Sequence, residues 1–385
     1  PEVKIIVSDG DLIYADELIF RYRAGDPLHY LIREKDDVYY INDKQAFLFL
    51  HDSASWEALA GLDPADLTGL RYISIEDSIS DEQLLVLEKF KDSFNDIGLS
   101  LIDVESSKLN KRLLSIINPS WLFADASLLE GMESFQLNDL ELLMTDESIP
   151  NIQDINAFCP NINQLIISGF EIGSIDLSGI KELENLSSLS IFGCELQDSV
   201  CLDLPKQLVQ LHLNYCEIPS SLAGLSGFSK LKSFSFSGSF DDDSTYTLDL
   251  PELQYLGIPY TFTQDDFDSL IRNQPSLQVL DMQALEEITD LSSLTELAEL
   301  KAITMIESEI EIAQFKALDN LDLLVFDEDD STKVAELQAA LPETDIFPGA
   351  GFCLGSGWLL LMLPFSLAAR YFFRRSRQVR QEDTL

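Results

Sequence analysis

Positive charge is scarce in this chain. Against 67 Asp and Glu stand 25 Lys and Arg, so the 385 residues carry a formal charge of −42. A surface that holds nucleic acid needs clustered Lys and Arg to neutralise phosphates, and that class of partner is excluded. Histidine is scarcer still, at three residues, His29, His51 and His212, spread along the chain. No H-E-x-x-H, G-x-S-x-G, P-loop or G-x-G-x-x-G stands in a fitting context. Carboxylates are so abundant that pairs meet by chance, so paired acids do not point to acid–base chemistry. No catalytic residue is assigned, and an enzyme is not expected. The five Cys (159, 194, 201, 216 and 353) include no C-x-x-C pair, which removes zinc and thioredoxin-like readings. No cofactor is expected. Ca²⁺ is the one ion whose donors are clustered, at Asp241-Asp242-Asp243 and Asp327-Glu328-Asp329-Asp330. Neither run has the spacing of a known calcium loop, and solvated loop charge is the favoured reading.

Hydrophobic residues, by contrast, are plentiful and ordered. From Ile162 to Phe326 the pattern L-x-x-L-x-L recurs eight times in register, at a spacing of 21 to 24 residues. Its triplets are Ile162/Leu165/Ile167, Leu186/Leu189/Ile191, Leu208/Leu211/Leu213, Leu231/Phe234/Phe236, Leu253/Leu256/Ile258, Leu277/Leu280/Met282, Leu300/Ile303/Met305 and Leu321/Leu324/Phe326. With 46% of the chain hydrophobic, filling all these positions by chance is improbable. The array resembles the leucine-rich repeat family, whose unit is one short strand plus a return segment. That resemblance implies an α/β solenoid, a leucine-rich repeat horseshoe, in which each unit packs on its neighbours and length is not limited by one core. It does not name a ligand. Cys194 and Cys216 sit three residues after their triplets, where the family places Asn or Cys. On adjacent rungs they would lie about 5 Å apart, as a disulfide or, the favoured reading, as two buried thiols.

The expected organisation is then as follows. Residues 1–66 form a β-rich N-terminal cap, with a hairpin of 38–41 and 46–50 around a polar turn and a helix capped by Ser53. Residues 67–345 form the solenoid, irregular to about 161 and regular over 162–341, with ten or eleven rungs. In the irregular part, Leu70/Ile73/Ile75 is a first triplet and Ser80 to Gln83 is a capping box. Met132/Phe135/Leu137 is read as a later triplet, and the register over 107–129 is left open. Return segments 264–273 and 332–340 read as helical. Pro342 to Asp345 reads as a short linker.

Residues 346–373 are expected to be a single transmembrane helix. No charge interrupts Ile346 to Ala369, and about 20 apolar residues span a bilayer. Trp358, Arg370 and Tyr371 suit the interfaces, and Arg374 and Arg375 open a basic tail, 374–385, that the positive-inside rule keeps in the cytoplasm. The repeat domain then lies outside the cytoplasm, periplasmic or extracellular. The chain begins at Pro1, as a cleaved secretory signal or a shortened expressed chain would leave it. A second reading takes the glycines at 349–357, the apolar run and the arginines as a cleavable sorting signal of an exported surface protein.

Strand side chains alternate, so the residues between the triplet leucines face the other side of the sheet, the concave side of a horseshoe. They are Ser188/Ser190/Phe192, Gln210/His212/Asn214/Tyr215, Ser233/Ser235/Ser237, Tyr255/Gly257/Tyr260 and Val279/Asp281/Gln283. Charge is sparse there. Phe192, His212, Asn214, Tyr215, Tyr255 and Tyr260 are therefore the expected partner-binding residues, aromatic anchors amid small neutral neighbours. The expected partner is another protein, membrane-associated or exported, and the chain an accessory or scaffold subunit.

Overall fold

The computed structural model describes residues 2–348, apart from short stretches. Those are 7–11, 16–17, 22–28, 36–37, 42–43, 77–78, 95–96, 103–110, 130–133, 144–151, 197–203, 217–221, 238–247, 259–262, 284–287, 307–310, 319 and 327–330. For 2–45 it describes backbone alone. The described chain forms two compact units, one from the N-terminus to Leu143 with Ala157–Cys159, the other Met144–Asn156 and 160–348.

The first unit opens with short antiparallel strands. β1 (Glu2–Ile6), β4 (His29–Lys35), β5 (Val38–Ile41) and β6 (Lys44–Gln45) make one sheet, while β2 (Leu12–Ala15) and β3 (Leu18–Arg21) pair separately. The expected hairpin exists but is shorter. After Tyr40↔Gln45 and Ile41↔Lys44 the chain leaves it, and β7 (Phe47–Leu50) pairs parallel with β8 (Tyr72–Glu76). The solenoid therefore starts at Phe47, inside the stretch expected to be cap. Ala46 shows why: its carbonyl accepts from both Arg71 and Tyr72 N–H, at 2.8 and 3.2 Å. The same shared acceptor recurs down the chain, as with Asn163 for Ser187 and Ser188, or Gln254 for Gln278 and Val279.

β9 (Gly98–Ile102), β10 (Trp121–Asp125) and β11 (Asp139–Leu143) complete the first unit's parallel run. Helix α1 (Ser53–Gly61) is capped by Asp52 rather than Ser53, because Asp52 accepts from Ser55 N–H. Helix α2 (Asp81–Lys89) has the expected box, Ser80 and Gln83 each holding the other's N–H. Its Leu84 and Leu87 are buried, with Phe90 and Phe94 following. Helix α3 (Lys111–Ile117) fills the stretch whose register was open, and ends at Asn118 in the left-handed region (φ 47°) before Pro119, a conformation Asn tolerates.

One register differs from the expectation. The strand after β10 uses Leu137, Leu140 and Leu142, all buried, not Met132/Phe135/Leu137. Both sets fit the spacing, but only the later one brings Leu140 opposite Leu122 and Leu142 opposite Ala124.

Helix α4 (Ile152–Phe158) precedes, in sequence, the nine parallel strands of the second unit. They are β12 (Gln164–Ile175), β13 (Ser188–Leu196), β14 (Gln210–Asn214), β15 (Ser233–Phe236), β16 (Tyr255–Ile258), β17 (Val279–Gln283), β18 (Ala302–Ile306), β19 (Leu323–Phe326) and β20 (Asp345–Pro348). Every triplet residue from Ile162 to Leu324 is buried at 3% exposure or less. Each such burial contributes roughly 1.5–3 kcal/mol, so the leucine ladder is what holds the rungs together. Returns are 3₁₀ turns at Ile180–Glu182, Leu222–Gly227 and Ser292–Glu296. They are helical at α5 (Gln264–Ile271), α6 (Ile312–Phe315) and α7 (Ser331–Ala340).

The C-terminal end differs from the expectation. Pro342 to Asp345 is not a linker, and Ile346 does not start a helix. β20 is one more rung, in register with β19 from Leu323↔Asp345 to Phe326↔Pro348. Buried Thr344 secures the approach by donating to Leu321 O at 2.8 Å. Among the described residues the first unit has five parallel strands and the second nine, more than the ten or eleven rungs expected.

Among the described residues no helix is long and apolar enough to cross a membrane. Residues 349–385, with Trp358, Arg370, Tyr371, Arg374 and Arg375, lie outside them, as do Tyr260 and the aspartate runs at 241–243 and 327–330.

Candidate functional site

The pairing of β12 to β17 sets the residues facing away from the leucine ladder in rows. One row is Gln164, Ser188, Gln210, Ser233, Tyr255, Val279; the next is Ile166, Ser190, His212, Ser235, Gly257, Asp281. Asp281 is the one charged residue in either. A third row begins Ser168, Phe192, Asn214.

Hydrogen bonds link these rows. His212 Nδ1 lies 2.7 Å from Ser235 Oγ, and Asn214 Nδ2 donates to the same hydroxyl at 3.4 Å. Ser237 Oγ donates to Asn214 Oδ1 at 3.4 Å and accepts Tyr215 N–H at 2.9 Å. Two strands over, Tyr255 donates to Asp281 Oδ2 at 3.1 Å, with its ring edge-on to His212 at 6.4 Å. Gly257 makes this reach possible. A Cβ there would sit 2.8 Å from Ser235 Cβ and 3.3 Å from the Tyr255 hydroxyl.

The structure corrects the expected solvent exposure of this face. Phe192, His212, Asn214 and Tyr255 are buried. Rungs about 4.8 Å apart, separated by Ser and Gly, let each large side chain lie across its neighbour instead of standing free. Gln164, Gln210 and Val279 in the first row are half-buried. Tyr215 differs from the rest. It is 48% exposed and its backbone is left-handed, φ 53°; the residue after Phe192 in the preceding strand, Gly193, has φ 64°. The chain turns out of the strand there, which glycine does freely and a tyrosine does at a cost of about 1–2 kcal/mol.

Chemically, the His212–Ser235 pair is not arranged as a nucleophile and base. Burial brings the His212 pKa down to about 4, so the ring is neutral, and its Nε2 has no hydrogen-bond partner. The carboxylate in the row, Asp281, is held by Tyr255 rather than by His212. A triad needs that third contact. Among the described residues no group of three or more His, Cys, Asp or Glu could hold a metal.

Behind the rows, Cys194 and Cys216 are free and buried, the thiol reading rather than the disulfide. Cys194 Sγ contacts Phe192 O at 3.2 Å, and Cys216 Sγ contacts Ile191 O and Asn214 O at 3.4 Å. Burial pushes these thiols up to about 11 and about 12, so neither is reactive at neutral pH.

No protein-family model and no curated protein matches this chain. Among solved structures, an internalin (inlF) from Listeria monocytogenes is similar over 78% of this chain and 96% of its own, at 14% identity and a TM-score of 0.37. The mouse RP105/MD-1 complex is similar over 79% of this chain, at 15% identity and 0.42; this chain spans 55% of that one. Neither likeness is close enough to bear on function, which rests on the residues themselves.

Two features were not legible in the sequence. Ser235 is the hub of the network, yet as a serine among serines nothing marks it. The first unit has its own outward rows, in which Glu141 of β11, opposite Phe123, is buried at 1% exposure; the 132–137 register concealed them.

Proposed function

We propose that this chain is a membrane-anchored recognition protein, an accessory or scaffold subunit that holds another protein against the outward face of its second unit. Tyr215 is the observation that carries the reading. A large ring kept half exposed at a backbone position better suited to glycine is a local cost, and such strain concentrates where a protein binds. The bonded Ser235/Asn214/Ser237 ladder fixes its backbone from beneath, so the ring is presented pre-organised. The partner is membrane-associated or exported, and the repeat domain stands outside the cytoplasm. Residues 349–369, still free of charge, are the anchor, with the arginines from 370 onward on the cytoplasmic side. No cofactor takes part.

Extraction from native membranes in mild detergent, followed by native mass spectrometry, tests this. A discrete assembly containing the chain through Leu385 supports the reading, and Tyr215→Ala then dissociates it at tenfold or more lower dilution. A lone chain, shortened near Gly357, would reject it in favour of a cleaved sorting signal.

A further inference from the structure

The turns that lead into the strands of the second unit are built alike, and one of them carries a motif that recognition through Tyr215 does not use. Leu183 O accepts Leu186 N–H at 3.0 Å, closing a turn with Glu184 and Asn185 at its two corners. The same bond recurs at later rungs, as from Leu208 to Pro205 and from Leu321 to Leu318. Both anchors of each such turn are buried and the corners between them lie at the surface. Asparagine stands at the second corner of two of these turns, as Asn185 and Asn320, both exposed. Only Asn185 has a hydroxyl residue two positions on. Asn185-Leu186-Ser187 is the N-x-S/T sequence at which an asparagine amide takes a glycan, provided that the middle residue is not proline. Asn118-Pro119-Ser120 fails on that proviso.

We propose that Asn185 is a site of N-linked glycosylation, its donor an oligosaccharide activated at the anomeric carbon by a phosphate ester. The inference rests on the reading above that the repeat domain stands outside the cytoplasm. In the transfer the amide nitrogen bonds to the anomeric carbon. The bond from that carbon to the phosphate oxygen breaks, its electron pair leaves with the phosphate, and one amide hydrogen departs as a proton. The turn accommodates the product. Asn185 Nδ2 carries two hydrogens and donates one to Asn161 Oδ1 at 3.4 Å, on the surface. The substituted amide keeps one hydrogen, so this bond survives while the sugar projects into solvent. Leu186 is fully buried, and the Ser187 hydroxyl donates to Asn163 Oδ1 at 2.7 Å. The folded rung therefore ties down the two later positions of the motif, so transfer precedes closure of the rung, and the fold then leaves Asn185 open.

The placement fits the recognition reading. Asn185 precedes β13 and Tyr215 follows β14, and these two strands pair in parallel from Ser188↔Gln210 to Phe192↔Asn214. Five strand residues at about 3.3 Å each put roughly 16 Å between the two ends. A glycan at the entry end leaves Tyr215 at the exit end open to a partner.

The test is mass spectrometry of the full chain recovered from its native cells. Cleavage after Lys181 and Lys206 releases a peptide, 182–206, in which Asn185 is the one asparagine. Electron-transfer fragmentation leaves sugars on their side chains and so locates them. The expected result is a peptide heavier by a hexose- or hexosamine-based glycan on Asn185. Expressed in the same cells, Asn185→Gln and Ser187→Ala should lose the added mass, and Ser187→Thr, which keeps the hydroxyl, should retain it. An unmodified peptide, or sugar that survives Asn185→Gln, would overturn the proposal. Protease added to sealed membranes that keep their outer face outward separates this failure from that of the underlying reading. Cleavage of the repeat domain with an unmodified peptide overturns glycosylation alone, whereas protection of the domain overturns its placement outside the cytoplasm as well. Asn185→Gln should leave the Tyr215-dependent assembly intact, and its dissociation would overturn the separation of glycan from partner.

Discussion

At the scale of single residues, the informative positions are those where local preference is overruled. Tyr215→Gly should raise stability by about 1 kcal/mol, since glycine adopts the left-handed turn without strain. Urea unfolding measures it, and a loss of stability would mean that the ring packs rather than presents. Gly257→Ala should cost about 1–3 kcal/mol, because the new methyl would press on Ser235 and the Tyr255 hydroxyl. Two of the buried titratable side chains, His212 and Glu141, act in opposite directions. His212 is depressed in the fold, from 6.5 to about 4. The unfolded chain thus binds more protons between these values, and His212's contribution, full above pH 6.5, is lost as pH falls toward 4. Glu141 is raised from 4.5 to about 8. The fold binds more protons there, so its contribution is full below pH 4.5 and is lost as pH rises through 8. Glu141→Gln removes the second dependence alone. It should stabilise the protein by a few kcal/mol at pH 8 and scarcely at pH 4.5, as read from unfolding curves at the two values.

At the scale of elements, each rung is a strand two of whose side chains enter the core, closed by a return segment that varies. The leucine spacing made the rungs from 162 to 326 legible, because one strand of four or five residues leaves a fixed apolar signature whatever follows it. It failed at 132–142 for a related reason: Leu137 belongs to both candidate triplets, and only pairing with Leu122 and Ala124 selects one. Leu140→Ala should therefore cost about 2–5 kcal/mol, as a core rung residue. It failed again at 345–348, where an apolar run serves equally as strand or as the start of a membrane helix. Hydrogen exchange separates the two. The Asp345 amide, bonded to Asp322 O at 2.9 Å, should be protected together with β19 and retain that protection when residues 349–385 are removed. A membrane helix beginning at Ile346 would lose it.

For the molecule as a whole, the charge of −42 opposes compaction. Raising ionic strength from 0.01 to 0.15 M shortens the screening length from about 30 to about 8 Å, and the melting temperature should rise accordingly with any monovalent salt. A rise confined to calcium would instead point to the aspartate runs as ion sites. Stacked rungs are well suited to tolerate such repulsion, since each is held by its neighbours and not by one central core.

By itself the sequence determined the periodic core, the return segments with helical spacing, the scarcity of positive charge and the uncharged run near the C-terminus. These follow from composition and from short-range geometry: a strand's alternation and a helix's repeat are set within a few residues. Only the tertiary structure decided that the stretches at Ala46 and Asp345 belong to the array, since both join it through hydrogen bonds to residues more than twenty positions away. Only it decided which outward residues are exposed. His212, Tyr255 and Glu141 alternate like surface positions, but rungs stacked side by side with small residues between them bury one strand's side chains under the next, and strand periodicity carries no record of that neighbour.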